Sequence, residues 1–210
     1  MLARADVQAL EGCMRGGGVA VFPADTVYGL CCDPDDAAAA ARLYRLKGRP
    51  PERPAAVMFF ALEAALAGLG PLEPAEETAV RALMPGPVTL LLANRAGRYL
   101  PACGPDPGTV GVRVPALHGP IAALASVGAA VMQSSANLSG GPDARTLAEV
   151  PAPIRSGADL VLDGGELPGT PSTVVDLRGL AAGGGWRVLR EGALAAGEVG
   201  ALLDAARGRA

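Results

Sequence analysis

Aromatic rings make up only 3% of this chain, and it holds one histidine and one lysine. The shortage of rings argues against a protein that stacks nucleic-acid bases. It also means that a core, in a chain long enough to bury one, must be built from Ala, Val and Leu. A single histidine, His118, leaves no basis for a histidine-rich metal centre, and it is the only residue that could serve a Ser-His-Asp triad. Nothing around Ser134 or Ser135 resembles G-x-S-x-G, so a hydrolase of that kind is not expected. The four cysteines, at 13, 31, 32 and 103, form no C-x-x-C pair. Adjacent Cys31 and Cys32 suit neither zinc ligation nor ordinary disulfide geometry, so reduced cysteines in a cytoplasmic protein are expected. No secretory leader is evident at the N-terminus, and no window reaches the roughly 18 uncharged apolar residues of a membrane helix. No Walker A pattern and no dinucleotide fingerprint occur. With a net charge of −3 there is no basic excess for a general nucleic-acid coat, although a local basic pocket is compatible with it.

What is present is an alternation of short apolar strands and amphipathic helices. Apolar residues at helical spacing (Val7, Leu10, Met14) predict a helix over 3–15, stopped by Gly16–Gly18. Helices are expected over 37–46, capped by Asp35 or Asp36, and over 61–68, 74–83, 118–127 and 197–207. Strands are expected at 19–22, 56–60, 88–93, 109–115, 129–133, 159–163, 173–177 and 186–190. Interleaving of this kind points to an α/β fold with a mixed sheet, in one domain over 1–210.

Five segments carry more polar chemistry than plain connections need. FPADTVYGLCCD (22–33) offers Asp25, Thr26 and Tyr28, and a polar turn after a strand would also account for it. LKGRPPERP (46–54) sets Lys47, Arg49 and Arg53 at the end of a helix. Cations there suit the helix dipole, while Gly48 and the prolines make the following path rigid, as a phosphate loop would need. The other 17 basic residues are arginines, so Lys47 is the exception. A lysine is a compact point charge and is not equivalent to arginine where such a charge is wanted. In GVRVP (111–115), Arg113 interrupts an apolar strand and must reach water, a partner or a ligand. QSSANLSG (133–140) can hold anionic oxygens or can simply be a turn. GTPSTVVD (169–176) places Ser172 before a strand, and Arg190 ends another.

Taken in order, PADTVYGL, LKGRP, PGPVTLLL, VGVRVP, SSANLSG, PSTVVDL and LREG resemble the threonylcarbamoyl-adenylate synthases, the YrdC/Sua5/TsaC family, over about residues 7–195. The resemblance implies a twisted mixed sheet flanked by helices around a large, positively lined cavity. It implies a reaction in which L-threonine, bicarbonate and ATP, with Mg2+, give threonylcarbamoyl-AMP and pyrophosphate. The product would pass to separate t6A-transfer proteins that modify tRNA, with at most weak tRNA contact by this chain. Threonine contacts carry over to Thr26, Arg113 and Ser172. ATP contacts carry over to Lys47, Arg49, Arg53, Thr109, Ser135, Asn137 and Arg190, with Arg145 as an addition. Lys47, Arg49, Ser135 and Asn137 form the signature quartet. The chain departs from the pattern at Ala24, where the family has threonine, at Met58, where many members have histidine, and at Arg53. It resembles the short, single-domain form. A divergent paralogue of the same fold and an RNA-binding module are the rival readings. The protein is expected to be an enzyme working by positioning and charge neutralisation, without a protein nucleophile.

Overall fold

The computed structural model describes residues 1–208. Helix α1 (Arg4–Arg15) leads into strand β1 (Ala20–Pro23), which turns back through residues 24–27 into β2 (Tyr28–Cys32). Then follow α2 (Ala37–Lys47), β3 (Ala56–Met58), α3 (Leu62–Leu69), α4 (Pro74–Leu83), β4 (Val88–Ala93), α5 (Leu100–Cys103) and β5 (Thr109–Arg113). The chain ends with β6 (Val131–Ser135), α6 (Ala152–Gly157), β7 (Leu160–Val161), β8 (Thr173–Asp176), β9 (Arg187–Arg190) and α7 (Ala196–Arg207). The strands form one mixed sheet in the order β7-β1-β2-β6-β3-β5-β4-β8-β9. Three contacts along it are parallel (β1–β7, β3–β5, β4–β8) and the other five are antiparallel.

The α/β reading and the mixed sheet are as expected, and four local readings change. Residues 28–32 are a fully buried strand rather than part of a polar loop. Residues 119–126 form a 3-10 helix, not an α-helix, entered through Gly119 and Pro120. The strand expected at 129–133 lies at 131–135, and the one at 159–163 shrinks to two residues.

The sheet's two faces divide by side-chain alternation. Val57, Leu90, Leu92, Val110, Val112, Met132 and Val175 face one side and join α2, α4 and α7 in the larger core. The opposite face divides again. Its β1–β2 end carries Phe22, Cys31, Met58 and Val131, which pack under α1 and the 3-10 helix as a second core. Cys31 and Cys32 therefore point into different cores, and all four cysteines are free. The remainder of that face, from β6 to β9, is the floor of a cavity.

Among the described residues no helix is long and apolar enough to cross a membrane.

Candidate anion-binding site

Register places the floor residues side by side. Ala56 pairs with both Gln133 and Gly111, Met58 with Arg113, Thr89 with Val174, and Val174 with Arg190. Ala56, Thr89, Arg113, Gln133, Ser135, Val174 and Arg190 all line a cavity of about 230 Å³. Arg49 and Pro54 from the loop after α2, Pro171 and Ser172, and Asp143 complete the wall.

The wall at Ser135 is held from behind by Lys47. Asp36 caps α2 by accepting from the backbone N–H groups of Ala38 and Ala39 (2.8 and 3.0 Å), and Gly48 ends the helix in the left-handed region at φ 57°. That stop leaves Lys47 on the last turn with its side chain 2% exposed. Its Nζ donates to the Ser135 carbonyl, to the Asn137 carbonyl (2.8 Å) and to Asn137 Oδ1 (2.7 Å). Ser135 Oγ donates to the same Oδ1 (2.7 Å), and Asn137 Nδ2 donates to Gly141 O (2.5 Å). Ser139 N–H donates to the Lys47 carbonyl at 2.8 Å. All three ammonium protons are thus spent on the 135–141 loop. The lone lysine is a buried strut here, behind Ser135 rather than on the cavity lining. Burial, then Arg49, pushes its pKa down to about 8.

Arg113 ends β5 and is buried. Its Nη2 donates to Asp25 Oδ1 (2.7 Å) and Thr26 Oγ1 (3.1 Å), while its buried Nε has no acceptor. Arg190 Nη2 donates to the Ser172 carbonyl (2.7 Å) and approaches Ser172 Oγ (3.4 Å), which is itself bonded to Thr89 Oγ1 (2.8 Å). Arg49 is fixed on the carbonyls of Arg53 (3.2 Å) and Pro54 (2.7 Å). Burial first, and then Arg53 and Arg190, lowers the pKa of Arg49, while burial, and then Arg190, lowers that of Arg113, so Arg190 repels both. An anion would relieve that repulsion.

Of the candidates, Arg49, Arg113, Ser135, Ser172 and Arg190 line the cavity. Lys47 and Asn137 stand behind Ser135, and Thr26 is bonded to Arg113. Three further candidates stand apart. Arg53 is exposed. Thr109 donates to Asp106 Oδ2 (2.6 Å) and accepts from Arg178 (2.9 Å) at the opposite end of β5 from Arg113. Arg145 pairs with Glu166 at 2.7 Å. Sequence reasoning missed Thr89, Gln133 and Asp143 as lining residues. The signal for the first two was a polar residue inside an otherwise apolar strand, as at Arg113; Asp143 gave none.

The sequence matches the Sua5–YciO–YrdC family, described as "Telomere recombination", over residues 13–192. A threonylcarbamoyl-AMP synthase of Thiobacillus denitrificans is 39% identical over 173 residues, which cover 80% of this chain and 89% of that protein. Among solved structures, P. abyssi Sua5 complexed with L-threonine superposes with a TM-score of 0.82 at 29% identity, over 96% of this chain. The match spans only 58% of the P. abyssi chain. E. coli YciO superposes at 0.77 with 25% identity, over 92% of each chain.

Proposed function

The chain belongs to the Sua5–YciO–YrdC family, and from that premise we propose that it makes threonylcarbamoyl-AMP from L-threonine, bicarbonate and ATP. The observation that carries this reading is the convergence of Arg49, Arg113 and Arg190, each bonded to the protein, on one cavity that also carries the neutral polar groups of Thr89, Gln133, Ser135 and Ser172. It suits two anionic substrates held together: an amino-acid carboxylate and a polyphosphate.

On this reading Arg113, with Thr26 and Ser172 beside it, takes the threonine carboxylate. Arg49, Arg190 and the loop of Ser135 and Asn137, braced by Lys47, take the phosphates. The cavity is smaller than the roughly 300–1,000 Å³ of common ligand pockets. The reacting groups therefore sit inside it, and the rest of the nucleotide extends past the rim. Arg53, Thr109 and Arg145 touch only what extends there. Bicarbonate gives up hydroxide to become CO2, the neutral amine of threonine adds to its carbon to give an N-carboxylate, and the proton released from the amine joins the hydroxide as water. A carboxylate oxygen then forms a bond to the α-phosphorus as the bond to the bridging oxygen breaks, and pyrophosphate leaves. The protein's part is to hold both anions within bonding distance and to offset the charge that builds up between them.

Asp143 is the only carboxylate on the lining, and among the described residues no cluster of three His, Cys, Asp or Glu could hold a metal. That donor set fits a Mg2+ ion carried in on the triphosphate with its waters, beside at most one carboxylate. When bound, the ion would share the phosphate charge.

The test is incubation of the protein with Mg-ATP, L-threonine and labelled bicarbonate. The expected result is a labelled adenylate and pyrophosphate release that depends on threonine. ATP binding without either product would overturn the assignment and favour a divergent paralogue. Tight, steeply salt-dependent tRNA binding without ATP would favour the RNA-binding module.

A further inference from the structure

The buried carboxylate of Asp25 has no part in the chemistry above, and it does not line the cavity. It sits in the four-residue turn between β1 and β2, which the Ala24 N–H closes by donating to the Val27 carbonyl at 3.3 Å. Its side chain is 5% exposed. One oxygen accepts from Arg113 Nη2 at 2.7 Å, and the other accepts from the backbone N–H of Ala116 at 3.1 Å. Two strands, β6 and β3, separate β2 from β5 in the sheet. The turn therefore folds over the sheet face and grips both the last residue of β5 and the segment just after it.

Stability does not explain such a contact. Taking two charges out of water costs several kcal/mol each, and an apolar pair of the same volume usually does as well or better. Burial pushes the Asp25 carboxyl above the ordinary aspartate range and the Arg113 guanidinium below the ordinary arginine range, with each partner's charge offsetting only part of this. What the contact achieves is geometric. A guanidinium has five donors in a rigid plane, so fixing one nitrogen fixes the direction of the others. Nη2 is fixed by two acceptors, Asp25 Oδ1 and Thr26 Oγ1. Nε is buried with no acceptor, and among the described residues Nη1 has none either. Arg113 is thus held on one side and left unspent on the other, at the cavity wall.

We propose that Asp25 is a positioning residue for the amino-acid substrate: it anchors Nη2 of Arg113 so that the remaining guanidinium donors meet the substrate carboxylate in a fixed orientation. This rests on the reading of Arg113 as the carboxylate site. It also makes Asp25 specific to one of the two substrates, because the phosphate wall of Lys47, Arg49, Ser135 and Asn137 shares no contact with it.

The substitution Asp25→Asn keeps the shape and an acceptor for Nη2. It removes the charge and turns a second acceptor into a donor that faces the Ala116 N–H. Titration calorimetry with L-threonine and, separately, with ATP would follow each ligand. The expected result is a threonine Kd raised about tenfold or more, with the ATP Kd within about twofold. Asp25→Glu, which keeps the carboxylate but shifts it by one methylene, should fall between wild type and Asp25→Asn. It also serves as the working variant if Asp25→Asn does not fold. Equal weakening of both ligands in the variant that folds, or an unchanged threonine Kd, would overturn the proposal.

A second readout needs no substrate. The Nε–Hε resonance of Arg113, assigned by its loss in Arg113→Lys, should be resolved and slow to exchange in the wild-type protein. In the Asp25 variant it should merge with the exposed arginines, and an unmoved resonance would overturn the anchoring role. If wild-type protein binds no threonine while this resonance still depends on Asp25, the substrate assignment fails and the anchoring stands.

Discussion

Replacing Lys47 by methionine separates what its charge does for the fold from what it does for the site. Methionine keeps most of the stem, which is buried, and removes the ammonium. The loss is three charge-assisted hydrogen bonds, to the carbonyls of Ser135 and Asn137 and to Asn137 Oδ1. Bonds to charged groups contribute about 1.5–3 kcal/mol each, but not additively. Asn137 Oδ1 also keeps its donor, Ser135 Oγ. A loss of about 2–4 kcal/mol is therefore expected from the bonds. Against it stands the burial of the charge: a pKa pushed from 10.5 to about 8 corresponds to about 3 kcal/mol against the ammonium. The two terms nearly cancel, so denaturant unfolding should show Lys47→Met within about 1–2 kcal/mol of wild type. Activity should not survive, because the 135–141 loop is no longer pinned beside the phosphates. Threonine-dependent pyrophosphate release should fall on the order of 100- to 1,000-fold. A folded Lys47→Met protein with a wild-type rate would refute the strut. A stability loss above about 5 kcal/mol would refute the cancellation. The pH dependence has a definite sign. Only the ammonium has three donors for three acceptors, so wild-type activity should be full below about pH 8 and fall above it. Because the folded pKa lies below the unfolded one, the unfolded chain holds the extra proton between about pH 8 and 10.5, and stability should rise with pH across that window. Both trends should vanish in Lys47→Met.

Three other perturbations test different parts of the molecule. Arg190→Ala removes a cavity cation and releases the Ser172 carbonyl, so ATP affinity measured by calorimetry should fall about tenfold while the melting temperature holds; unchanged affinity would take Arg190 out of the phosphate site. Arg95→Met leaves Glu76, fully buried and bonded to Arg95 at 2.6 Å, without its cation, and should cost about 3 kcal/mol in denaturant unfolding; a neutral result would mean that Glu76 finds water or another donor. Asp176 is held down to about 2, first by its bonds to Arg178 and also by those to Arg187. Its stabilisation should be complete above about pH 4 and lost as the pH falls towards 2, about 2 kcal/mol that Asp176→Asn should lack at neutral pH.

Much of this architecture was legible because strands and helices announce themselves by period. Residues 88–93 occupy the strand expected of them, and the helices over 37–47 and 74–83 match to within a residue. Asp36 proved to be the cap of α2. Strand β2 escaped because all five of its residues are buried, so it has no alternation to read, and a proline and two polar residues precede it. The 3-10 segment escaped because its apolar composition suits either helix type, while Gly119 and Pro120 set the tighter one. At the site, residue types were legible and contacts were not. Lys47 stood out by composition, but that its ammonium turns inward depends on the helix ending one residue later at Gly48. Thr109 lies on the same face as Arg113, yet four residues along β5 carry it away from the cavity and into the Asp106–Arg178 cluster.

The net charge of −3 said little about the site for a physical reason. Several of the arginines at the surface are matched locally: Arg42 with Asp159, Arg81 with Glu63 and Glu77, Arg145 with Glu166, Arg178 and Arg187 with Asp176. Such pairs add little stability, but they cancel the field outside the protein. Arg49 and Arg190 instead bond to carbonyl oxygens, which orient a guanidinium without neutralising it. Arg113 is paired, but with a carboxylate behind the wall. Arg49, Arg113 and Arg190 thus bring positive charge to the cavity, where low-dielectric walls strengthen its field. A ligand that brings its own negative charge into that space offsets the repulsion of Arg190 with Arg49 and with Arg113. Neutralising Asp143, the one lining carboxylate, should then tighten ATP rather than weaken it unless that carboxylate holds a cation, and calorimetry of Asp143→Asn with and without Mg2+ separates the two cases.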